Sequence, residues 1–199
     1  MIYLYDNAIV EDLEKSFNPD NVENPVVRVV SPDQAIAVAA QIKEDQIDFP
    51  LVVLERNDSV SINSDLVNFT RKQKGVQTLI DKETNMIYYE RAIPIKLEYT
   101  LTVLTTNQVD MDEIMRELIF KYESMYFLGI RIPYESKREI SFGVSIDSDY
   151  GIQQKSGSSQ YIESGQLYES SMKLNCDGCV LIHYTPQHLR RLGTEIVAE

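Results

Sequence analysis

The chain has 199 residues, of which 43% are hydrophobic and 25% charged, and it carries a formal net charge of -12. That length and balance fit one globular domain with a real core. The acidity excludes gripping nucleic acid by phosphate neutralisation, which needs clustered Lys and Arg. No apolar run approaches the roughly 18 residues of a membrane-spanning helix, and the start Met1–Asp6 reads without a leader's basic region and apolar core. Two cysteines do not make a disulfide framework, so a cytoplasm-like compartment is expected.

In chain order, Ile9, Val10, Leu13 and Phe17 predict a helix over 7–17, capped by Asp6 or Asn7 and stopped ahead of Pro19. Val26–Val30 is a short β-branched strand. Ser31-Pro32-Asp33-Gln34 has the form of a capping box and opens a second helix over Ala35–Lys43. Pro50–Leu54 reads as a strand covered on both faces, because its apolar residues do not alternate. The polar stretch 56–75, with a small basic cluster at 71–74, is expected to be a loop or a protruding hairpin.

Val76–Ile80 and Met86–Glu90 predict a hairpin around residues 81–85. The clearest signal follows. Ile93, Ile95, Leu97, Tyr99, Leu101 and Val103 alternate with polar or small neighbours, which marks an antiparallel strand with one buried face. Pro94 cannot donate to a ladder, so it belongs near a strand end or edge. Thr105-Thr106-Asn107 breaks the strand. Val109, Ile114, Met115, Leu118, Ile119 and Tyr122 then give a helical stripe, with Asp110, Asp112 and Glu113 placed to complement the dipole of its first turn.

Strands are predicted over Tyr126–Ile132 and Glu139–Ile146, and a long exposed loop over 147–166 with a flexible run at 155–160. Asp177-Gly178 reads as the type I′ turn of a hairpin joining Met172–Cys176 to Cys179–Tyr184. A short helix is expected around His188–Leu192. The fold class is therefore α+β: a single domain over 1–199 with a mainly antiparallel sheet, helices on one face, and excursions near 56–75 and 147–166.

No residue is assigned a catalytic, cofactor-binding or metal-ligating role, and no cofactor is expected. Cys176-x-x-Cys179 lacks a second ligand pair apart from His183 and His188 on or near the same segment. It also does not open a helix, as a redox pair does. Asp110-Met111-Asp112-Glu113 is explained by the helix dipole. Asp147-Ser148-Asp149 resembles the start of a calcium loop, but Gly151 and Gln154 do not fit its spacing. No P-loop, dinucleotide fingerprint, H-E-x-x-H or G-x-S-x-G motif is present.

The module Arg91–Val103, a short break and the acidic-start helix beginning Asp112–Leu118, followed late in the chain by Gly165–Tyr168, resembles the tail-terminator or tail-completion proteins of tailed bacteriophages and related contractile particles. The resemblance covers about a third of the chain. It implies a non-catalytic virion protein of the tail or neck, assembled in the host cytoplasm. Such a protein forms a homo-oligomeric ring, usually a hexamer, that caps the tail tube and contacts tube, sheath and neck proteins. DNA would pass through an acidic lumen without specific binding, and no membrane is involved. Other expectations stay open: a head–tail connector or baseplate part, a cytoplasmic binding module or assembly chaperone, or an enzyme whose site is too dispersed to see.

Overall fold

The computed structural model describes residues 2–18, 27–31, 49–63, 76–81, 86–131, 139–149, 151–155, 161–162, 165–183 and 187–188. The helix expected over Ala35–Lys43, the basic cluster at 71–74 and most of the run at 155–160 lie outside these residues. The helices are α1 (Tyr3–Phe17) and α2 (Gln108–Tyr122). The strands are β1 (Arg28–Val30), β2 (Leu51–Ile62), β3 (Val76–Asp81), β4 (Met86–Thr105), β5 (Tyr126–Arg131), β6 (Glu139–Ile146), β7 (Ile152–Lys155), β8 (Tyr161–Ile162), β9 (Gly165–Gln166), β10 (Tyr168–His183) and β11 (Gln187–His188).

Nine strands form one mixed sheet along the path β1-β2-β4-β10-β6-β5, with β3 and β11 also on β4 and β7 on β10. Among the described residues only β1–β2 is parallel; the other pairings in this sheet are antiparallel. The fold is thus α+β with a mainly antiparallel sheet, as the alternation in β4 predicts. That alternation puts Ile95, Leu97, Tyr99, Leu101 and Val103 in the core. Both helices pack on this face. Tyr5, Ile9, Leu13 and Phe17 come from α1, and Met111, Ile114, Met115, Leu118 and Tyr122 from α2. Val109 is 62% exposed, contrary to expectation. It stands five residues before Ile114, about 140° around the helix from the stripe, and Met111 takes the inward position instead.

The unalternating run at the start of β2 is covered on both faces. Val52 and Leu54 enter the main core, while Leu51 and Val53 join Val30, Leu104 and Leu167 in a smaller cluster. The strand then continues to Ile62, with a register shift between Arg56 and Val60, so of the loop or hairpin expected here residues 56–62 are strand, and 64–75 lie outside the described residues. The hairpin of β3 with β4 is present, closing at Asp81–Met86.

The two strands expected at 86–90 and 93–103 are one strand of 20 residues. Pro94 sits inside it rather than at an end. Along that edge of β4 the pairing with β2 ends at Ile62–Ile95, and the pairing with β3 begins at Arg91–Val76. Pro94 lies in the gap, where its carbonyl accepts the Asn63 N–H at 3.1 Å. A residue's N–H and C=O face the same side of a strand, so proline cannot return the bond to Asn63, and the ladder with β2 stops there.

A strand of 20 residues spans about 65 Å, and a helix of 15 residues about 22 Å. Among the described residues, the first turn of α1 reaches the sheet where the Tyr5 ring meets Gly178, whose ladder partner is Ile95. Beyond that point residues 86–94 of β4 run on, flanked by β3, the end of β10 and β11, as a β-sheet arm.

Two further expectations are corrected. Asp177-Gly178 is not a turn: β10 is continuous from Tyr168 to His183 and pairs with β4 throughout. The region 147–166 is not one loop. β6 and β7 follow each other along the same edge of β10, and between them the Asp147 N–H still donates to the Lys173 carbonyl of β10 at 2.9 Å. The Asp147 carboxylate accepts the Asp149 N–H at 3.1 Å, and Gly151 returns the chain at φ +63°, a backbone state glycine adopts freely. β8 and β9 make a separate two-stranded ladder. Gln187–His188 is strand, where a helix start is expected.

Candidate functional site

Helix α1 carries polar groups along the face it buries. It begins at Tyr3, not Asn7, and the residue before it makes no side-chain cap bond. Asp6 is therefore not a cap. It lies in the first turn and is only 7% exposed. One carboxylate oxygen accepts the Tyr99 hydroxyl at 2.8 Å, and the other is ion-paired to Arg56 of β2. A buried carboxylate requires such partners, because an unpaired charge there loses its hydration without compensation. Burial, and then the neighbouring Asp6 charge, push the Tyr99 hydroxyl pKa well above its ordinary value.

One residue earlier, the Tyr5 hydroxyl donates to the Cys179 carbonyl at 2.6 Å and accepts the Cys179 N–H at 2.8 Å. The ladder between β10 and β6 ends at Asp177–Gly143. Tyr5 occupies the edge of β10 just past that point and meets Phe142 of β6 edge-on, with centroids 4.8 Å apart. Gly178 admits the ring: a Cβ there would lie 2.7 Å from Tyr5 Cε1 and 2.8 Å from Cζ.

A third cluster centres on Asp12. Its carboxylate pairs with Lys121 of α2 and accepts the Tyr122 and Tyr126 hydroxyls, each at 3.3 Å. Lys121 also reaches Ser16 and lies 5.0 Å from the Tyr126 ring centroid. At the far end of α1 the Asn18 amide donates to the Val27 carbonyl and accepts its N–H, standing in for a strand partner.

These groups are saturated by one another. They join elements and leave no reactive atom directed at an open space. An open groove of about 580 Å³ lies beside α1 and β1, lined by Glu11, Glu14, Lys15, Asn18, Val27, Arg28 and Val29. Its charges are mixed, and among the described residues its lining holds no thiol, imidazole or hydroxyl nucleophile.

The residues weighed from sequence are dispersed. Cys176 faces the core and Cys179 is half-buried; an offset of three places them on opposite faces of β10, so they do not converge on one ligand. Burial pushes the Cys176 thiol up to about 12, away from the thiolate range of a nucleophile. His183 and His188 sit at the backbone register of Glu90 and Met86 respectively, on the arm. Asp110 is in the first turn of α2, where Asn107 caps the helix by accepting the Val109 N–H at 3.0 Å. Asp147 is engaged in its own turn. Among the described residues no three of His, Cys, Asp and Glu are grouped to hold a metal ion. No described helix is long and apolar enough to cross a membrane.

Sequence reasoning missed Asp6, Asp12 and Lys121. A signal existed for Asp6: it falls three and seven residues before Ile9 and Leu13, on the apolar stripe itself, where a charge needs a buried partner. No family model matches the chain, and no curated protein is significantly similar to it in sequence.

Proposed function

We propose that the chain is a non-catalytic structural protein that forms a ring, six copies in the family it resembles, terminating the tail tube of a tailed bacteriophage or related contractile particle and joining it to the neck. One observation carries the reading. In the resembling module β4 and α2 pack together in the main core, and among the described residues β4 continues past that packing as an arm flanked by β3. An arm on a fixed root suits reaching across to a neighbouring subunit, where strand edges supply backbone hydrogen bonds.

The net charge of -12 supports a lumen that passes DNA without holding it. The polar clusters on α1 support a mechanical role, since they lock elements together and offer no reacting group. Negative-stain imaging of the purified protein, alone and mixed with tail tubes, tests the proposal. Rings seated on tube ends are expected. Single subunits that never cap a tube would overturn it, and reversible one-to-one binding to another protein would favour a binding module or chaperone.

A further inference from the structure

The sheet path ends in β5, which pairs with β6 alone. Its other edge meets no described strand. Open edges are normally blunted by Pro, Lys, a bulge or an inward charge. Met125–Arg131 has none of these: it reads Met-Tyr-Phe-Leu-Gly-Ile-Arg, and its one charge is at the end. Phe127 is 66% exposed and Met125 48%. Tyr126 and Leu128, on the core face, are only half covered.

We infer that β5 is a self-pairing edge: two copies of this chain join antiparallel through Tyr126–Ile130 about a twofold axis perpendicular to the sheet. The occupant follows from symmetry and side-chain fit. Such an axis keeps each face of the sheet on the same side, and directly opposed residues share a face. Partner positions must then sum to an even number. The register centred on Leu128 sets Leu128 against Leu128 and Tyr126 against Ile130 on the core face. On the outer face it sets each exposed Phe127 against the other copy's exposed Gly129, where the Glu139 side chain, its carboxylate 3.3 Å from the Gly129 Cβ position, must swing aside to admit the ring. The structure already uses that pairing once, because Phe127 stands opposite Gly143 in its own ladder.

Charge also permits a second copy. The whole chain is strongly acidic, yet β5 itself holds no carboxylate, and the one beside it, Glu139 of β6 near Gly129, stands at the register of Arg131, so no two carboxylates oppose each other in the ladder. The contact is isologous, whereas closing a ring needs a heterologous surface. It is therefore additional to the ring contacts, and the inference does not rest on the tail-terminator reading.

Cross-linking tests the register. Opposed residues in an antiparallel pair have Cα atoms about 4.5–5.5 Å apart, within disulfide reach. Leu128→Cys, mildly oxidised at micromolar concentration, is expected to run as a covalent two-chain species on a non-reducing gel. Phe127→Cys is not expected to, because it faces Gly129 of the other copy. The parent protein with Cys176 and Cys179 provides the background. No two-chain band for Leu128→Cys, with folding verified by circular dichroism, would overturn the inference; so would equal linking by both variants. Native mass spectrometry of the unmodified protein adds a test free of variants: a dimer, or rings joined in pairs, is expected, and a monomer, a trimer or another odd-numbered species would refute self-pairing. Tube capping is not part of either readout, so the two proposals fail separately.

Discussion

Gly178→Ala separates two uses of one glycine. If residues 177–178 formed a turn with positive φ, a methyl group would cost backbone strain whatever lay nearby. In the extended strand the cost comes from Tyr5 alone. The added Cβ would stand 2.7 Å from Tyr5 Cε1 and 3.0 Å from Oη, where ordinary contact begins at about 3.4 Å. The ring has little room to retreat. It is fully buried, its hydroxyl is bonded twice to Cys179, and its edge contact with Phe142 fixes its tilt. Overpacking of this kind costs about 1–3 kcal/mol, and with two hydrogen bonds strained the upper half of that range, about 2–3 kcal/mol, is expected. Urea titration reads it: with a slope of about 2–3 kcal/mol per molar, the midpoint falls by about 1 M. In a Tyr5→Leu background the far end of the ring is gone, and Gly178→Ala should cost under about 0.5 kcal/mol or stabilise slightly through the unfolded chain. Gly143→Ala is the internal control. Its Cβ also comes to 2.7 Å from a neighbour, but that neighbour is the sulfur of half-exposed Met125, free to move, so a loss under about 1 kcal/mol is expected. A Gly178→Ala cost that persists undiminished in the Tyr5→Leu background would refute the packing account.

Two further outcomes follow from the buried groups. Tyr99→Phe should cost about 1–2 kcal/mol by removing a donor from Asp6, and Arg56→Met about 1–3 kcal/mol, discounted because the Arg56 side chain is 33% exposed; values within about 0.5 kcal/mol of zero for both in urea titration would remove the network from the stability of the fold. For Cys176 the folded pKa lies above the ordinary value of 9.0, at about 12. Its neutral form is thus retained in the fold while the unfolded thiol ionises, so its contribution is complete below pH 9 and lost as pH rises from there. Cys176→Ala should flatten the loss of stability that sets in near pH 9, to which Tyr5, Tyr99 and Tyr122, also raised in the fold, add as their unfolded hydroxyls ionise around 10.0; an unchanged slope in denaturation series between about pH 8.5 and pH 10 would argue against the thiol.

The parts legible in the sequence are those whose signal is periodic. Five apolar residues at period two in β4, and a stripe at period 3.6 in α2, identify element and buried face together, because burial itself generates the repeat. Single-residue signals are ambiguous. Gly178 has two possible uses, freedom at positive φ and absence of a side chain, and the partner that decides between them is Tyr5, far away in sequence. Pro94 reads as lacking a donor, but the place where that does no harm depends on two neighbouring strands handing over beside it. β7, with sequence Ile-Gln-Gln-Lys, shows no repeat at all; it is strand because β10 offers an edge directly in line with β6. Arg56 and Asn57 have the composition of a loop, yet their polarity serves a buried carboxylate and the wet face of the sheet.

The polar clusters also explain how the arm can keep a direction. Apolar contact holds two elements together without fixing their angle, whereas hydrogen bonds are directional. Helix α1 makes directional bonds to β10 through Tyr5, to β2 and β4 through Asp6, and to α2 and β5 through Asp12. Two of these, at Tyr5 and Asp6, fall within one helical turn and reach the sheet five residues apart along β4, at the register of Pro94 and at Tyr99. The root of the arm is thus pinned at β10 by Tyr5, and the sheet behind it at β2 and β4 by the adjacent Asp6, while the Asp12 cluster bonds the next turns of the helix to α2 and β5. Displacing α1 at its first turn should therefore reorient the arm relative to the β5 edge before it disturbs the core beneath α2, which is held by apolar packing of its own.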